Sequence, residues 1–372
     1  MIELITAGES HGKGLFGILR GIPCGLKIDT DFVNGMLALR QRGFGRGERM
    51  KIEKDRINIV SGIDENGVST GSPIGFFIDN IDTKLNATKR SFTVPRPGHA
   101  DFAGSVKYNF KNLAMPSERT SGRLSALDVA AGSIAALFLR EFGVKVHFAV
   151  ECIGKTCAFA KDLSEDTFKK ALSSDILAMG KEAEMKAEIE NAVKSEDTIG
   201  GRGLAIVRNL PAGLGDYNDW RSRADGLVAQ AVMSVGTVKS VSIGESGITS
   251  GAIYHDPFEM KNGTLKRLSN NAGGIEGGIT NGEDVVVRFF SKPIPTVRKG
   301  ITSVDIKNGE NTRSVYVRSD TCVVPAVTLV SAMRIALVFA SLFTEKFGGD
   351  TMSDIRASFN NYVNSRRAFW QK

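Results

Sequence analysis

Two of the four histidines in the chain lie in short polar segments that are rich in glycine. His11 belongs to the segment Gly8–Gly12, and His99 belongs to the segment Arg96–Asp101. Histidine exchanges a proton at about pH 6.5, so both side chains can act as acids or bases near neutrality. Glycine lets the backbone approach a ligand closely. The two segments therefore predict acid–base chemistry beside a bound ligand.

Arginines are concentrated between glycines in the segment Arg40–Arg49, and a further arginine, Arg123, follows a Ser-Gly pair. The rigid fork of the guanidinium group fits phosphate and carboxylate oxygens, which predicts an anionic small-molecule ligand. In the alternative interpretation these arginines form solvated ion pairs with nearby acids, namely Glu48, Glu53 and Asp55. The formal net charge of +7 is also compatible with nucleic acid. Few aromatic residues lie among the arginines, however, so we expect no nucleic-acid partner.

The elements that must position these residues indicate an α+β fold. Short segments rich in branched or aromatic residues predict strands at Ile2–Ala7, Arg56–Ser61, Ile74–Ile78, Val144–Val150, Leu204–Leu210, Val238–Ile243, Asp284–Phe290 and Ser314–Val317. Apolar spacing and capping residues predict helices at Ser125–Phe142, Ser164–Leu172, Lys181–Lys194 and Ala326–Phe347. The first and last of these helices are almost wholly apolar, so we expect two long buried helices in a fold built of sheet and helix layers.

Size and composition favour one large composite domain over residues 1–372, because no linker rich in proline and serine divides the chain. The cysteine spacing fits neither a zinc site nor a disulfide framework, so we expect buried thiols in a reducing cytoplasm at Cys24, Cys152, Cys157 and Cys322. The longest apolar run, Val327–Phe343, contains Arg334 and is shorter than the ~20 residues of a membrane span. We therefore expect no membrane partner.

Two short motifs suggest other enzyme classes. The segment Gly8–Gly12 fits the Gly-x-Ser-x-Gly elbow of serine hydrolases, with Ser10 as the nucleophile. That elbow follows several strands of a parallel sheet, whereas at most one predicted strand precedes Ser10. The segment Gly43–Gly47 resembles a dinucleotide-binding loop, but no predicted strand leads into it. The hydrolase remains an alternative, and a dinucleotide-binding fold is disfavoured.

A set of motifs in one order is far more specific than any single motif. The chain carries Gly8–Gly12, Arg96–Asp101, Ser121–Arg123, Asn270–Ile275, Lys292–Pro293 and Arg318–Asp320. Together these motifs closely resemble the chorismate synthase family. The resemblance implies a β-α-β sandwich, a homotetramer and conversion of 5-enolpyruvylshikimate 3-phosphate to chorismate and phosphate. It also implies that this 1,4-anti elimination requires reduced FMN, although the reaction has no net redox change.

The resemblance also implies roles for the residues that could do chemistry. His11 would act as a general acid toward the departing phosphate, and His99 would stabilise the anionic reduced flavin. Ser10 and Asp320 match residues proposed to relay the ring proton. The cations for the anionic substrate would be Arg40, Arg46, Arg49 and Arg123. Some family members reduce their own flavin with NADPH, which Arg40 and Arg46 would contact, whereas others take reduced flavin from an external flavin reductase.

The FMN contacts implied by the resemblance are spread along the chain. They are Arg119, Thr120, Ser121, Gly236, Thr237, Gly277, Lys292, Pro293, Ile294, Pro295, Thr296 and Arg318. Three sites depart from the family pattern. Leu124 and Ser331 stand where the family usually has an acid, and Gly236-Thr237 stands where it commonly has Ala after a Pro or Asn. A non-catalytic protein that binds flavin or another anion therefore remains an alternative.

Overall fold

Two antiparallel sheets enclose a layer of long helices in the computed structural model, which describes residues 1–47, 52–83, 91–160 and 163–366. The strands are β1 (Glu3–Gly8), β2 (Gly14–Arg20), β3 (Asn58–Ile59), β4 (Ile74–Asp79), β5 (Lys145–Ile153), β6 (Thr156–Cys157), β7 (Gly201–Arg208), β8 (Val238–Ile243), β9 (Phe258–Lys261), β10 (Thr264–Arg267), β11 (Ile275–Glu276), β12 (Ile279–Thr280), β13 (Val285–Ser291), β14 (Thr302–Val304) and β15 (Asn311–Arg313). The helices are α1 (Thr30–Gln41), α2 (Asp101–Tyr108), α3 (Ser117–Thr120), α4 (Ser125–Arg140), α5 (Glu165–Ser173), α6 (Glu182–Lys194), α7 (Ala224–Met233), α8 (Gly251–Tyr254), α9 (Val324–Phe347) and α10 (Met352–Arg366).

The first sheet has the strand order β1-β2-β4-β3. Its strands alternate side chains between two faces, so Leu15 and Leu19 of β2 point into the core while Phe16 and Ile18 are exposed. The second sheet has the order β6-β5-β7-β13-β8 and is antiparallel throughout. Three two-stranded hairpins complete the described strands: β9–β10, β11–β12 and β14–β15.

Helices α4 and α9 form the middle layer. They pack against each other, α4 also contacts β1 and β2, and α9 contacts β5 and β7. Both helices are long and apolar enough to cross a membrane, but 72% and 78% of their apolar windows are buried inside the fold. Arg334 of α9 forms an ion pair with Asp128 of α4 at 3.1 Å. The two helices are thus the shared core of both sheets, and the prediction that both are buried is confirmed.

Several predictions about elements need correction. The predicted strand Ser314–Val317 is wrong, because β15 ends at Arg313 and the next four residues have no regular secondary structure. The sequence also missed β2, whose Gly14 and Gly17 leave room for the rings of Phe77 and Phe76 on the neighbouring strand. Glycine in a strand normally argues against strand structure. Here it accommodates aromatic neighbours.

The prediction of four free thiols is also wrong. Cys152 and Cys157 form a disulfide because they lie directly opposite each other on β5 and β6. Cys24 and Cys322 are free thiols. Burial raises the pKa of the Cys322 thiol to about 12, so this side chain stays protonated at neutral pH. The spacing of five residues did not reveal that a tight antiparallel hairpin joins the pair.

Candidate active site

A cavity of about 630 Å³ opens between α4, α9 and the loops at one end of the two sheets. Its volume lies within the range of pockets that bind cofactor-sized ligands. One wall is apolar and is formed largely by α9, with Val323, Val327 and Val330. The remaining walls are cationic, with Arg40, Arg46, Arg96, Arg119, Arg123, Lys292, Arg318 and Arg334 against the acids Asp128 and Asp320. This balance of charge favours an anionic ligand with a flat apolar part.

His11 lies in the loop between β1 and β2 and lines this cavity. Its Nδ1 is 3.1 Å from Oε1 of Glu118, and its backbone N–H donates to Oε2 of the same carboxylate at 2.8 Å. Glu118 is the second residue of α3 and is buried. The carboxylate therefore fixes both the backbone and the ring of His11.

The loop that carries His11 is held in place by Asn80, which follows β4. The amide of Asn80 donates from Nδ2 to the carbonyls of Glu9 and Gly12, each at 2.9 Å. Its Oδ1 accepts from Nε of Arg123 at 2.8 Å. One buried amide thus joins the His11 loop to the arginines on the adjacent wall.

His99 also lines the cavity and sits just before α2. Its Nδ1 is 2.6 Å from Oδ1 of Asp101, which Arg96 contacts bidentately at 2.7 and 2.8 Å. Burial pushes the pKa of Asp101 upward, but hydrogen bonds from Arg96 and His99 outweigh burial and hold that pKa well below its usual range. Arg96 also donates to Thr296 at 3.0 Å, which ties the His99 loop to the segment after β13. Arg96 and Asp101 thus form a buried ionic unit that holds His99 at its edge.

The arginines at the base of the cavity share a carboxylate. Asp55 lies 2.7 Å from Arg40 and 2.7 Å from Arg123, and all three side chains are buried. The alternative interpretation is therefore half correct. Arg40 and Arg123 do pair with Asp55, but the pairs are buried rather than solvated. Arg123 also lies 4.0 Å from the buried carboxylate of Glu53, so two buried acids balance the two guanidinium groups of this wall.

Arg46 follows α1 and forms a second ionic contact. Its Nη1 is 3.1 Å from Asp320, which also accepts from the backbone N–H of Gly47 at 2.5 Å. Burial lowers the pKa of Arg46, while the Asp320 carboxylate opposes this effect. In the part of the chain that the structure describes, Nε of Arg46 and Nε of Arg40 are buried without a hydrogen-bond partner. Arg49 lies outside the described residues.

Comparisons with known proteins agree on one family. The family model described as chorismate synthase matches residues 2–344. The chain is 41% identical to chorismate synthase of Acidobacterium capsulatum, with 99% of this chain and 100% of that protein covered. It is also 41% identical to chorismate synthase of Caldicellulosiruptor bescii, with coverage of 98% and 100%. The chain belongs to the chorismate synthase family.

A solved structure agrees with the sequence matches. A crystal structure of chorismate synthase superimposes with a TM-score of 0.81 at 34% identity, covering 99% of this chain and 98% of that chain. The α+β architecture expected from the family resemblance is therefore confirmed. Two sheets around a helix layer are the scaffold on which this family member places its histidines and arginines.

Most residues that the chorismate synthase resemblance assigned to FMN line the cavity. They are Arg119, Thr120, Ser121, Gly236, Thr237, Lys292, Ile294, Pro295, Thr296 and Arg318. Several of these side chains already have protein partners. Arg119 donates to the carbonyl of Gly8 at 2.8 Å, and Arg318 pairs with Asp82.

Lys292 joins the two loops that border the cavity, because its Nζ donates to the carbonyl of Gly98 at 2.6 Å. Burial lowers the pKa of Lys292, and nearby Lys239 adds to the effect. The backbone N–H of Lys292 donates to the backbone carbonyl of Thr237 at 2.9 Å. The end of β13 and the turn before β8 therefore form one continuous edge of the cavity.

Three assigned residues do not line the cavity. Gly277 occupies the turn between β11 and β12 with φ of +60°, so the hairpin itself explains the glycine. Pro293 lies between two lining residues, but its own side chain is not part of the wall. Ser10 is fully buried, and its hydroxyl donates to Ser121 at 3.0 Å. Of the two residues assigned to a proton relay, only Asp320 reaches the cavity surface.

The geometry of Ser10 also argues against the hydrolase. Ser10 lies in a loop between antiparallel strands, whereas the nucleophile elbow joins a strand to a helix and exposes its serine. Likewise, Gly43–Gly47 follows helix α1 rather than a strand, so it is no dinucleotide-binding loop. Within the described residues, no cluster of His, Cys, Asp or Glu could hold a metal ion.

Sequence reasoning missed Glu118 and Asn80. Glu118 immediately precedes Arg119, Thr120 and Ser121, which the family resemblance singled out, but its partner is 107 residues away. No local periodicity indicates such a contact. Asp101, by contrast, lies two residues after His99, and a histidine with a nearby acid is a signal that the sequence offers.

Proposed function

We propose that this chain converts 5-enolpyruvylshikimate 3-phosphate to chorismate and phosphate by a 1,4-anti elimination that requires reduced FMN. The observation that carries the proposal is that His11 and His99 line one cationic cavity, each with Nδ1 beside a buried carboxylate. Family membership supports the same reaction. In this lyase reaction the substrate loses a ring proton and its phosphate, and a second ring double bond forms.

The substrate carries two carboxylates and a phosphate, and the cavity offers matching cations. Nε of Arg40 and Nε of Arg46 are buried without a hydrogen-bond partner in the part of the chain that the structure describes. A buried donor left in this state costs about 1–3 kcal/mol, which an anionic oxygen of a ligand would offset. We assign these two arginines, with Arg123 behind them, to substrate binding.

His11 is the proposed general acid. As the C–O bond to phosphate breaks, negative charge grows on the leaving oxygen, and a protonated imidazole beside that oxygen can donate its proton. Glu118 holds the ring in place, because its Oε1 lies 3.1 Å from Nδ1 of His11.

The cavity also fits reduced FMN, which would supply electron density to the substrate when bound. The apolar wall of α9 suits a flat ring system, while Lys292 and Arg318 suit a phosphate. His99, held by Asp101, can carry positive charge next to an electron-rich ring. Leu124 lines the cavity at a position where family members usually carry an acid, and it adds apolar surface there. This departure leaves all the cations of the cavity in place.

Anaerobic turnover tests this function. Phosphate should be released from 5-enolpyruvylshikimate 3-phosphate with dithionite-reduced FMN, and none should be released with oxidised FMN. Turnover at the same rate without flavin would contradict the proposal. Binding of FMN and substrate without turnover under strict anaerobiosis would support the non-catalytic alternative. Replacing dithionite by NADPH then shows whether the chain reduces its own FMN or depends on an external flavin reductase.

We also propose a homotetramer for this chain. The outer face of the first sheet supports a protein contact, since Ile5, Phe16 and Ile18 are each about half exposed on neighbouring strands. Light scattering coupled to size-exclusion chromatography measures the molar mass directly. A mass near 40 kDa, that of one chain, would contradict the proposal.

A further inference from the structure

We propose that Glu118 is a positioning residue for the elimination, because it holds His11 in the tautomer and ring orientation that a general acid requires. This inference rests on the proposed function. Glu118 lies behind His11 relative to the cavity: His11 belongs to the lining and Glu118 does not. Glu118 therefore acts through His11 rather than on the ligand.

The contacts fix the ring in two ways. The Glu118 carboxylate accepts from the backbone N–H of His11 at 2.8 Å, and its other oxygen lies 3.1 Å from Nδ1. A carboxylate can only accept, so Nδ1 must carry a proton in either charge state of the ring. Proton exchange with a bound ligand then falls to Nε2. Without this contact, the neutral ring could place its single proton on either nitrogen.

The charge of Glu118 has a second effect. Its side chain is 4% exposed and that of His11 is 13% exposed, so little water competes for the contact. A hydrogen bond to an ionised acceptor is roughly twice as strong as one between neutral groups. The carboxylate therefore holds the ring more firmly than an uncharged acceptor would.

The substitution Glu118→Gln tests this role, because glutamine keeps the size and one acceptor oxygen but removes the charge. With reduced FMN, kcat should fall by roughly 10- to 100-fold, below the full effect of losing an acid. KM for the substrate should change by less than about threefold, since Glu118 does not line the cavity.

Glu165→Gln is the matched control. Glu165 also stands beside a histidine, with Oε1 3.4 Å from Nε2 of His147, but that pair lies outside the cavity lining. The control should keep the wild-type kcat and KM. Phosphate release by the wild type establishes the proposed function separately, so an inactive wild type contradicts that function rather than the role of Glu118. An active wild type together with unchanged kcat in Glu118→Gln would overturn the present inference.

A measurement on the wild type keeps the test decisive if Glu118→Gln does not fold. In protein labelled with 15N-histidine, the His11 signals should show a protonated, hydrogen-bonded Nδ1 at every pH at which the protein is folded. The His11→Gln variant assigns these signals by their disappearance. A neutral His11 ring protonated only at Nε2 would overturn the proposal.

Discussion

The two histidines of the cavity are supported by carboxylates in different ways. His99 and its partner Asp101 are two residues apart, and Arg96 in the same segment completes the ionic unit. His11 and its partner Glu118 are 107 residues apart and meet only in the folded chain. The His99 unit is therefore built largely from local sequence, whereas the geometry of His11 depends on how the first sheet packs against α3. Substitutions at the two histidine sites should therefore separate effects on turnover from effects on the free energy of unfolding.

The largest expected effect belongs to His11→Ala. Loss of the general acid should lower turnover by roughly 10²-fold or more, because the leaving phosphate then lacks a proton donor. FMN affinity and the circular dichroism spectrum should stay close to wild type. The measurements are anaerobic phosphate release and flavin titration. Wild-type turnover in this variant would remove His11 from the mechanism.

Asp101→Asn should act mainly on stability. Removing one charge from the buried unit leaves Arg96 without its ionic partner, which should lower the free energy of unfolding by about 3 kcal/mol at pH 7. The pKa of Asp101 is lowered in the folded state, so its stabilisation is present above the ordinary aspartate pKa and is lost as the pH falls below about 4.

Urea denaturation at several pH values checks this prediction. The difference between wild type and Asp101→Asn should shrink as the pH is lowered from 5 toward 3. Asp175→Asn is a suitable control, because Asp175 is exposed and pairs with Lys186 on the surface. A difference that stays constant over this pH range would contradict the ionic role of Asp101.

His99→Ala should weaken cofactor binding more than chemistry. A charge-assisted hydrogen bond contributes about 1.5–3 kcal/mol, so the Kd for reduced FMN should rise roughly tenfold or more. At saturating flavin, the loss of turnover should be smaller than in His11→Ala. Anaerobic titration followed by turnover at saturation separates the two effects. Equal losses of turnover in the two variants would show that the sites do not divide these tasks.

The smallest effect is expected for His147→Gln. His147 also faces a carboxylate, but it stacks on Phe168 outside the cavity lining, and burial lowers its pKa. Turnover should change by less than about twofold, since distant sites act independently. A larger change in kcat, measured with the same phosphate assay, would show that proximity to a carboxylate does not identify the histidines that matter.

The local parts of the site could be predicted from the sequence, and the long-range parts could not. The family resemblance implied that His11 and His99 act in one reaction, and both line one cavity. Apolar spacing indicated α4 and α9. Helix α1 was missed, although Asp29 caps it by accepting from the backbone N–H of Phe32 at 2.9 Å. An N-terminal cap of this kind is a signal that the sequence contains.

Other features have no local signal. The pairing of Glu118 with His11 requires α3 to reach the β1–β2 loop, which no spacing along the chain reveals. The roles assigned to arginines illustrate the same limit. The sequence showed that Arg40 and Arg123 are cations near acids, but only the fold shows that they share Asp55 in the interior.

The triple contact of Asn80 has a mechanical consequence. Because one amide holds two carbonyls of the His11 loop and one guanidinium of the wall, neither part can shift without stretching the other's hydrogen bonds. An anion that draws Arg123 toward itself would transmit that pull to the loop. Asn80 thus ties the wall that would recognise the charged end of a ligand to the loop that carries the proposed proton donor.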